Sequence, residues 1–324
     1  MGIRAPRRST IALAAAGVLA SSGGAYVGAR NLLSGQADRA RRVIPRTWDA
    51  PPRADGVYTA GDGPVERWSR DVPFDLHLMI FGDSTATGLG CHSPDEVPGI
   101  RLARGLAEET GKRIRLSTKA ISGATSKGLS GQVDAMFVAG PPPDAAVIMI
   151  GANDITALNG VGASARRLGA AVRRLRDSGA VVVVGTCPDF GVITAIPQPL
   201  RWTARTRGLR LARAQAVAVR RAGGIPVPLA DLLAPEFLQA PDLLFSEDKF
   251  HPSAAGYALA AKQLFPALCN ALGEWTGGPV PELPWVSLAA EARTIRNRLR
   301  RFTRLWRRTT GVPAPVVVPR QLTG

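Results

Sequence analysis

The stretch that decides the fold is LHLMIFGDS, residues 76–84. Its apolar run is typical of a buried strand, and the glycine that follows predicts a tight turn. A serine in such a turn stands clear of the backbone, which is what a nucleophile requires. The stretch therefore predicts the first strand of a sheet, with Ser84 as a candidate reactive hydroxyl at the end of that strand.

Further apolar runs alternate with longer helical patterns along the chain. The predicted strands cover residues 76–81, 113–120, 145–150, 180–185 and 225–229. The predicted helices cover residues 97–110, 125–139, 160–178, 205–222 and 253–272. Two of the strands have no polar interruption, which indicates strands covered on both faces and hence a parallel sheet. The predicted fold class is α/β, a doubly wound three-layer α/β/α sandwich with a five-stranded, mainly parallel sheet.

Charge is distributed unevenly along the 324 residues, whose formal net charge is +16. Residues 1–70 hold 11 Lys and Arg against 5 Asp and Glu, and residues 276–324 hold 9 against 2. The region between them is nearly balanced, whereas a nucleic-acid enzyme carries its basic surface on the domain that does the work. We therefore expect no nucleic-acid partner for the central domain.

The N-terminal residues have the composition of an export signal. Arg4, Arg7 and Arg8 precede an uncharged stretch from Ser9 to Ala29. We expect residues 1–29 to be a signal peptide or an uncleaved signal anchor, and the protein to be extracytoplasmic, either secreted or membrane-anchored. A buried, Ala-rich helix is the alternative interpretation. Residues 30–72 are rich in Arg, Pro, Gly and Asp and lack periodicity, which predicts a linker or a surface-wrapping arm.

Residues 276–324 are expected to form a basic C-terminal extension beyond a hydrolase domain at 73–275. Apolar residues recur every three or four positions from Leu288 to Trp306, and arginines occupy the remaining surface. This pattern predicts a basic amphipathic helix. Its apolar stripe is compatible with packing on the domain, with an anionic membrane surface as a partner of the basic flanks, or with nucleic acid.

The base that would activate Ser84 is selected nearly by elimination, because the chain has three histidines. His77 lies inside the first predicted strand, where a core histidine is expected, and His92 lies in a loop. His251 has Asp248 three residues before it, where the last predicted helix begins. In a turn of that spacing the carboxylate accepts from Nδ1–H, and Nε2 is left to take the serine proton. Ordinary turn and helix-start chemistry is the alternative.

A tetrahedral intermediate also needs hydrogen-bond donors for its oxyanion. The candidates are the backbone N–H groups of Ser84 and Gly123 and the side-chain amide of Asn153. Gly123 would let a substrate approach its N–H closely, because it has no Cβ. Asp83 and Asp154 are expected to support the site by accepting hydrogen bonds from backbone N–H groups. A turn glycine and a strand-end cap are the alternatives for Gly123 and Asn153.

These clusters resemble the SGNH, or GDSL, hydrolase family of esterases, lipases, thioesterases and carbohydrate acetylesterases. The four matching blocks are Gly82-Asp83-Ser84, Ser122-Gly123, Gly151-Ala152-Asn153-Asp154 and Asp248-Lys249-Phe250-His251. The resemblance covers residues 74–272 and implies a flavodoxin-like fold. It implies that Ser84 is the nucleophile, His251 the base and Asp248 its orienting group, with Gly123 and Asn153 as oxyanion donors. Thr85 stands where many members carry Leu, which leaves the subfamily open.

The predicted function is therefore an exported serine esterase that hydrolyses carboxylic acyl esters through a covalent acyl-enzyme. Its expected substrate is a small-molecule, lipid or glycan ester, and the segment from Cys187 to Trp202 is expected to line the substrate site. Neither a cofactor nor a metal is expected. A two-metal site could use Asp83, Asp154, Asp248 and His251, but such sites usually need more histidine and carboxylate ligands than these four. We expect a monomer with unpaired cysteines. A catalytically idle, surface-anchored binding module on the same fold is the alternative.

Overall fold

The computed structural model describes residues 28, 31–37, 51–61, 63–138 and 140–278. Apart from residue 28, the predicted signal segment lies outside the described residues, and so does the predicted amphipathic helix near the C-terminus. Within the described ranges, no helix combines the length and the apolar character needed to cross a membrane.

One six-stranded sheet forms the centre of the described domain, in the order β1-β3-β2-β4-β5-β6. The strands are β1 (Gly56–Tyr58), β2 (Leu76–Gly82), β3 (Ile114–Thr118), β4 (Ala145–Met149), β5 (Val181–Gly185) and β6 (Ile225–Val227). Strands β2 to β6 run parallel, and β1 is antiparallel to β3. With β1 left aside, the five parallel strands have the 2-1-3-4-5 order of a flavodoxin-like doubly wound sheet. The predicted fold class is confirmed, although the sheet has six strands instead of five.

The sixth strand, β1, lies in the segment for which the sequence predicts a linker or arm. Val57 pairs with Arg115 of β3, and both Val57 and Tyr58 are buried. Three residues flanked by prolines are too short to show a period of two, so the sequence carries no strand signal there. The strand forms because it covers the outer edge of β3, whose backbone groups would otherwise lack sheet partners.

The five predicted helices are present, within a few residues of their expected ends. Residues 31–37 are helical, and the helices that follow are α1 (Ser84–Thr87), α2 (Pro98–Thr110), α3 (Leu129–Val138), α4 (Ala152–Thr156), α5 (Val161–Asp177), α6 (Leu200–Arg221), α7 (Leu229–Gln239), α8 (Pro241–Leu244) and α9 (Ala254–Leu272). The fifth predicted strand was expected to reach residue 229, but β6 ends at Val227 and Leu229 begins α7. Neither α7 nor α8 was expected, and α7 contains Pro235, which disfavours a helix in a reading of the sequence alone.

Two hydrophobic layers cover the sheet, one on each face. Leu78 and Ile80 of β2 belong to the cluster that includes α2 and α9, whereas Met79 and Phe81 belong to the cluster that includes α3, α5 and part of α6. Successive strand residues point to opposite faces, so burial on both sides explains the uninterrupted apolar runs. The loops after the parallel strands meet at the carboxyl edge of the sheet, where doubly wound folds place their sites.

Candidate active site

The turn that carries Ser84 is built by a glycine and a capping aspartate. Gly82 has φ +138°, and a Cβ at this position would lie 1.9 Å from the carbonyl oxygen of Met149, so only glycine fits. Asp83 accepts hydrogen bonds from the Thr85 N–H at 3.0 Å and the Thr85 hydroxyl at 2.7 Å. This cap fixes the first turn of α1, in which Ser84 is the first residue and is 6% exposed.

Ser84, His251 and Asp248 form a continuous chain of hydrogen-bonding groups. Ser84 Oγ lies 3.0 Å from His251 Nε2, and His251 Nδ1 lies 2.5 Å from Asp248 Oδ2. The other carboxylate oxygen accepts from the N–H groups of Phe250 and His251, both at 2.8 Å, and from the Ser246 hydroxyl at 2.7 Å. Burial alone would raise the pKa of Asp248, but the hydrogen bond and charge of His251, with the other donors, outweigh it and lower the pKa to about 2. The Asp248 carboxylate is therefore ionised at every pH well above 2, which includes neutral pH.

The other two histidines lie away from the serine. His77 is buried in β2, where its Nε2 lies 2.9 Å from Ser117 Oγ. Burial, and secondarily the charge of Arg115, lower the pKa of His77 to about 4, so this ring is neutral. His92 is exposed, and its backbone N–H donates to Glu96. Of the three histidines, His251 is the one that the structure places against the serine.

Asn153 and Gly123 come from different loops that contact each other. Asn153 lies in α4, directly after β4, and its Nδ2 donates to the carbonyl oxygen of Ala124 at 3.1 Å. Gly123 is exposed with φ +81°, and a Cβ there would meet nothing within 4 Å. The backbone conformation, not a steric limit within the chain, therefore explains this glycine.

Asp83 and Asp154 hold these loops to the sheet edge. Asp83 Oδ2 accepts from the Gly151 N–H at 3.2 Å, which joins the ends of β2 and β4. Burial raises the pKa of Asp83, although its hydrogen bonds oppose that rise. Asp154 accepts from the N–H of Ser126 at 2.8 Å and from its hydroxyl at 2.7 Å. Both carboxylates accept hydrogen bonds from backbone N–H groups, as the sequence predicts.

Two buried glutamines, which sequence reasoning missed, bind the ends of three strands. Gln132 of α3 accepts from the Gly82 N–H and donates to the Gly82 carbonyl oxygen, both at 2.8 Å. Gln215 of α6 accepts from the Cys187 N–H and donates to the Ile150 carbonyl oxygen, both at 2.8 Å. Strands that diverge leave peptide groups without sheet partners, and an amide satisfies a donor and an acceptor at once. The signal in the sequence is a lone glutamine on the apolar face of a helix.

An open cavity lies beside Ser84 and His251 and, with its mouth, encloses about 600 Å³. Its walls come from the loop at 188–193, from α7 and from residues 245–252. The apolar lining residues are Ala152, Pro188, Phe190, Val192, Ile193, Leu229, Leu233, Ala234, Phe237, Phe245, Phe250 and Pro252. Asp189 also lines the cavity, but its carboxylate pairs with Arg205 of α6 at 2.8 Å. The cavity is therefore an apolar pocket that opens at the serine.

The expected substrate loop contributes only its first part to this pocket. Residues 188–193 line it, whereas Cys187 is fully buried and residues 194–202 do not take part. Burial raises the pKa of the Cys187 thiol well above its ordinary value, and all three cysteines are buried free thiols. Within the described ranges, no group of three or more His, Cys, Asp or Glu side chains could hold a metal ion.

Comparison with known proteins identifies the relatives of this site. The model of the GDSL-like lipase/acylhydrolase family matches residues 80–259. The GDSL-like esterase Rv1075c of Mycobacterium tuberculosis is 74% identical over 279 residues, which are 86% of this chain and 89% of that protein. Among solved structures, the psychrotrophic esterase EstA from Pseudoalteromonas sp. is 20% identical and has a TM-score of 0.48, covering 61% of this chain and 100% of that one. TesA is 22% identical and has a TM-score of 0.45, covering 60% of this chain and 99% of that one. The match to the family model extends from β2 into α9 and includes Ser84, Asp248 and His251.

Proposed function

The chain belongs to the GDSL-like lipase/acylhydrolase family, and from this premise we propose that it is a serine esterase that forms a covalent acyl-enzyme on Ser84. The predicted enzyme class, a hydrolase that acts on ester bonds, is confirmed by this membership. The observation that carries the mechanism is the relay from Ser84 Oγ to His251 Nε2 at 3.0 Å, and from His251 Nδ1 to Asp248 at 2.5 Å. A serine hydroxyl is a weak nucleophile unless a base accepts its proton, and this relay supplies the base.

In the proposed acylation step, Ser84 Oγ attacks the ester carbonyl carbon while His251 Nε2 takes the hydroxyl proton. Asp248 holds Nδ1–H of the ring and stabilises the imidazolium that forms, without itself taking the proton. The imidazolium then gives its proton to the departing alcohol oxygen. Water, activated by the same ring, attacks the acyl-serine and releases the carboxylic acid. The low pKa of Asp248, about 2, supports its part in this cycle as a permanent anion.

The oxyanion of each tetrahedral intermediate is proposed to bind the N–H groups of Ser84 and Gly123 and the amide of Asn153. The contact between Asn153 Nδ2 and the Ala124 carbonyl oxygen orients that amide and leaves its second N–H to donate. Removal of one such donor typically costs about 3–4 kcal/mol of transition-state stabilisation. Asn153→Ala is therefore expected to lower kcat by about 10²–10³.

The acyl chain of the substrate is proposed to occupy the apolar pocket. Its lining offers hydrophobic contacts next to Ser84, and its one carboxylate is already paired with Arg205. A lining of this kind favours an aliphatic acyl group over a sugar. The alcohol part, which can belong to a small molecule, a lipid or a glycan, would leave from the open side of the serine.

We also propose that the protein is exported, because an uncharged stretch from Ser9 to Ala29 follows three arginines. The full chain with a C-terminal tag should be digested by protease added to intact spheroplasts, or be found in the medium. A tagged chain that is protected until the cells are lysed would contradict export. Light scattering during size-exclusion chromatography tests the expected monomer.

A serine-directed fluorophosphonate tests the catalytic assignment. The protein should be labelled once, with the adduct on Ser84, and Ser84→Ala should abolish labelling and lower kcat on p-nitrophenyl esters by at least about 10⁴-fold. The matched control is Ser130→Ala, which alters an exposed serine of α3 and should label like the wild type. A folded wild-type protein that neither labels nor hydrolyses esters would instead support the idle binding module.

A further inference from the structure

Positive charge within the hydrolase domain is concentrated on two helices, although the domain total is nearly balanced. Helix α5 carries five arginines and one aspartate, and α6 carries seven arginines and no acid. The arginines are Arg166, Arg167, Arg173, Arg174, Arg176, Arg201, Arg205, Arg207, Arg210, Arg213, Arg220 and Arg221. The rest of residues 71–275 holds 9 Lys and Arg against 17 Asp and Glu. The domain is therefore strongly basic on one helix pair and acidic elsewhere.

The two helices lie side by side and form one surface, which we term the arginine face. A Cβ on Gly169 of α5 would lie 3.3 Å from the carbonyl oxygen of Ala218 of α6, so the helices approach closely. Leu168 and Val172 point into the core, whereas five of the arginines are exposed. The exposed arginines are Arg166, Arg173, Arg176, Arg210 and Arg221. The inner residues of α5 and Val219 of α6 belong to the cluster on the opposite side of the sheet from α2 and α9, whereas Leu211 and Ala212 of α6 belong to the cluster that includes those helices.

Several of these arginines have partners within the chain, and two ion pairs bear on where the face lies. Among the described residues, ion pairs join Arg174 to Asp134 at 2.6 Å and Arg205 to Asp189 at 2.8 Å. Asp189 belongs to the pocket lining, so the second pair also places the start of α6 beside the acyl pocket. The arginine face therefore reaches the edge at which the catalytic serine opens.

Exposed apolar side chains lie at that end of the arginine face. Trp202, in the first turn of α6, is 50% exposed, and Leu158 is 71% exposed. Arg207 of α6 donates to the carbonyl oxygen of Asn159 at 3.1 Å, which ties the loop of Leu158 to this helix. Gln36, from the helical residues 31–37, also accepts from the N–H of Leu200, the first residue of α6, at 3.0 Å. The residues that follow the uncharged N-terminal stretch thus contact the same end.

We propose that the arginine face binds an anionic phospholipid surface, with Trp202 and Leu158 in the interface beside the pocket. A guanidinium group can donate two hydrogen bonds to two oxygens of one phosphate, and it is less strongly hydrated than an ammonium group. Both properties suit arginine to the phosphates of lipid headgroups. An acidic remainder opposite a basic face makes one orientation on an anionic surface preferred. Nucleic acid would engage the arginines equally well, but it offers nothing to the exposed apolar side chains at the pocket end. This surface is independent of the basic amphipathic helix predicted from the C-terminal sequence and does not depend on the chemical mechanism at Ser84.

The test compares two full-length variants that lose the same charge. The face variant neutralises four exposed arginines of α5 and α6 and consists of Arg166→Gln, Arg173→Gln, Arg210→Gln and Arg221→Gln. The control variant neutralises four exposed cations outside the arginine face and consists of Arg53→Gln, Arg67→Gln, Arg70→Gln and Lys262→Gln. Both retain every residue assigned to the active site, so turnover of a soluble p-nitrophenyl ester should equal that of the wild type and report correct folding.

Flotation is measured with vesicles of phosphatidylcholine alone and with vesicles containing about one-third phosphatidylglycerol, at roughly 0.1 M salt. A cation near such a surface contributes about fivefold in partitioning, so the face variant should bind the anionic vesicles at least about 30-fold more weakly than the wild type. The control variant should stay within about threefold of the wild type, because none of its four cations belongs to the arginine face. Trp202→Ala should weaken binding about tenfold, since half of a large aromatic side chain is available for the interface.

Three results would overturn the proposal. The first is equal losses of binding in the face and control variants, which would show that only total charge matters. The second is vesicle binding that Trp202→Ala leaves unchanged, which would exclude the proposed orientation. The third is tighter binding of the wild type to a short DNA duplex than to the anionic vesicles, with the same loss in the face variant, which would identify a nucleic-acid surface.

Discussion

Replacement of Asp248 by asparagine isolates what the negative charge contributes, because the shape of the side chain is kept. One carboxylate oxygen accepts from the N–H groups of Phe250 and His251, both at 2.8 Å, so the amide oxygen of an asparagine must take that position. The amide nitrogen is then left facing His251 Nδ1, where it donates a hydrogen bond. The ring must present a lone pair at Nδ1 and carry its proton on Nε2. In that tautomer Nε2 faces Ser84 with a proton and can no longer act as the base.

The size of the effect follows from the contacts that hold the amide in this orientation. Turning the amide round would leave two partly buried backbone N–H groups without acceptors, at about 1–3 kcal/mol each, so the productive tautomer is populated at roughly 3% or less. Loss of the anion opposite the imidazolium removes a charge-assisted hydrogen bond, about 1.5–3 kcal/mol in the transition state. Together these terms predict that Asp248→Asn lowers kcat by about 10³–10⁴ with little change in KM.

The assay is steady-state hydrolysis of a p-nitrophenyl ester, with active sites titrated by the fluorophosphonate and folding checked by the melting temperature. The control is Asp242→Asn, which alters a carboxylate that is 93% exposed and paired with Lys249 at the surface. The control should keep the wild-type kcat. If Asp248→Asn retained more than about a tenth of the wild-type kcat, the tautomer argument would be wrong.

Three further predictions concern the supports of the site, the pocket and pH. Gln132→Met removes the amide that fixes the peptide group at the end of β2, so kcat per titrated site should fall about 10–100-fold. The control is Val133→Ala, which alters an equally buried neighbour and should lower the melting temperature but leave kcat within about twofold. Phe237→Ala enlarges the pocket and should shift the preferred p-nitrophenyl ester to an acyl chain longer by about two carbons. The control is Leu238→Ala, which alters an exposed side chain; if both variants preferred the same acyl length as the wild type, the pocket assignment would be wrong. Folding lowers the pKa of Asp248 from 3.8 to about 2. The contribution of Asp248 to the free energy of unfolding is therefore complete above pH 3.8 and is lost as pH falls through 2. The free energies of unfolding of the wild type and Asp248→Asn, measured in urea, should differ above that pH window and converge below it.

The parallel strands could be predicted because burial on both faces leaves uninterrupted apolar runs, as in β4 and β5. The edge strand β1 could not, since three residues in a segment with prolines show no period, and the strand is defined only by its pairing with β3, which is distant in the chain. Helix α7 was missed for a related reason. Its residues Leu229, Leu233 and Phe237 recur at helical spacing, but Pro235 lies among them and the preceding apolar residues read as a strand. The pocket depends on this helix, so its shape could not be predicted from the sequence.

The sequence predicts the candidate reactive groups and the supporting carboxylates Asp83 and Asp154, but not the glutamines that hold the strand ends. Ser84, Asp248 and His251 lie at marked positions, in a turn after a strand and before the last helix, and elimination among three histidines is effective. The contact of Asn153 with Ala124 and the double hydrogen bonds of Gln132 join segments distant in the chain. A glutamine on a helix reads as a surface residue until the fold shows which peptide groups it must satisfy. Local patterns therefore identify the chemistry, and tertiary contacts determine how rigidly it is held.

The distribution of charge on the folded domain also could not be predicted from the sequence, and it bears on function. The net charge of the central region is small because the arginines of α5 and α6 are offset by acids on other elements, so a total conceals a basic face. Helix α6 spans about 33 Å at 1.5 Å per residue, and Gln215 on its inner side binds the ends of β4 and β5. A surface that binds the outer arginines of this helix would therefore hold the carboxyl edge of the sheet at a fixed distance from itself. Because Arg205 of this helix pairs with Asp189 of the pocket lining, an ester in that surface would lie at the edge where the pocket opens.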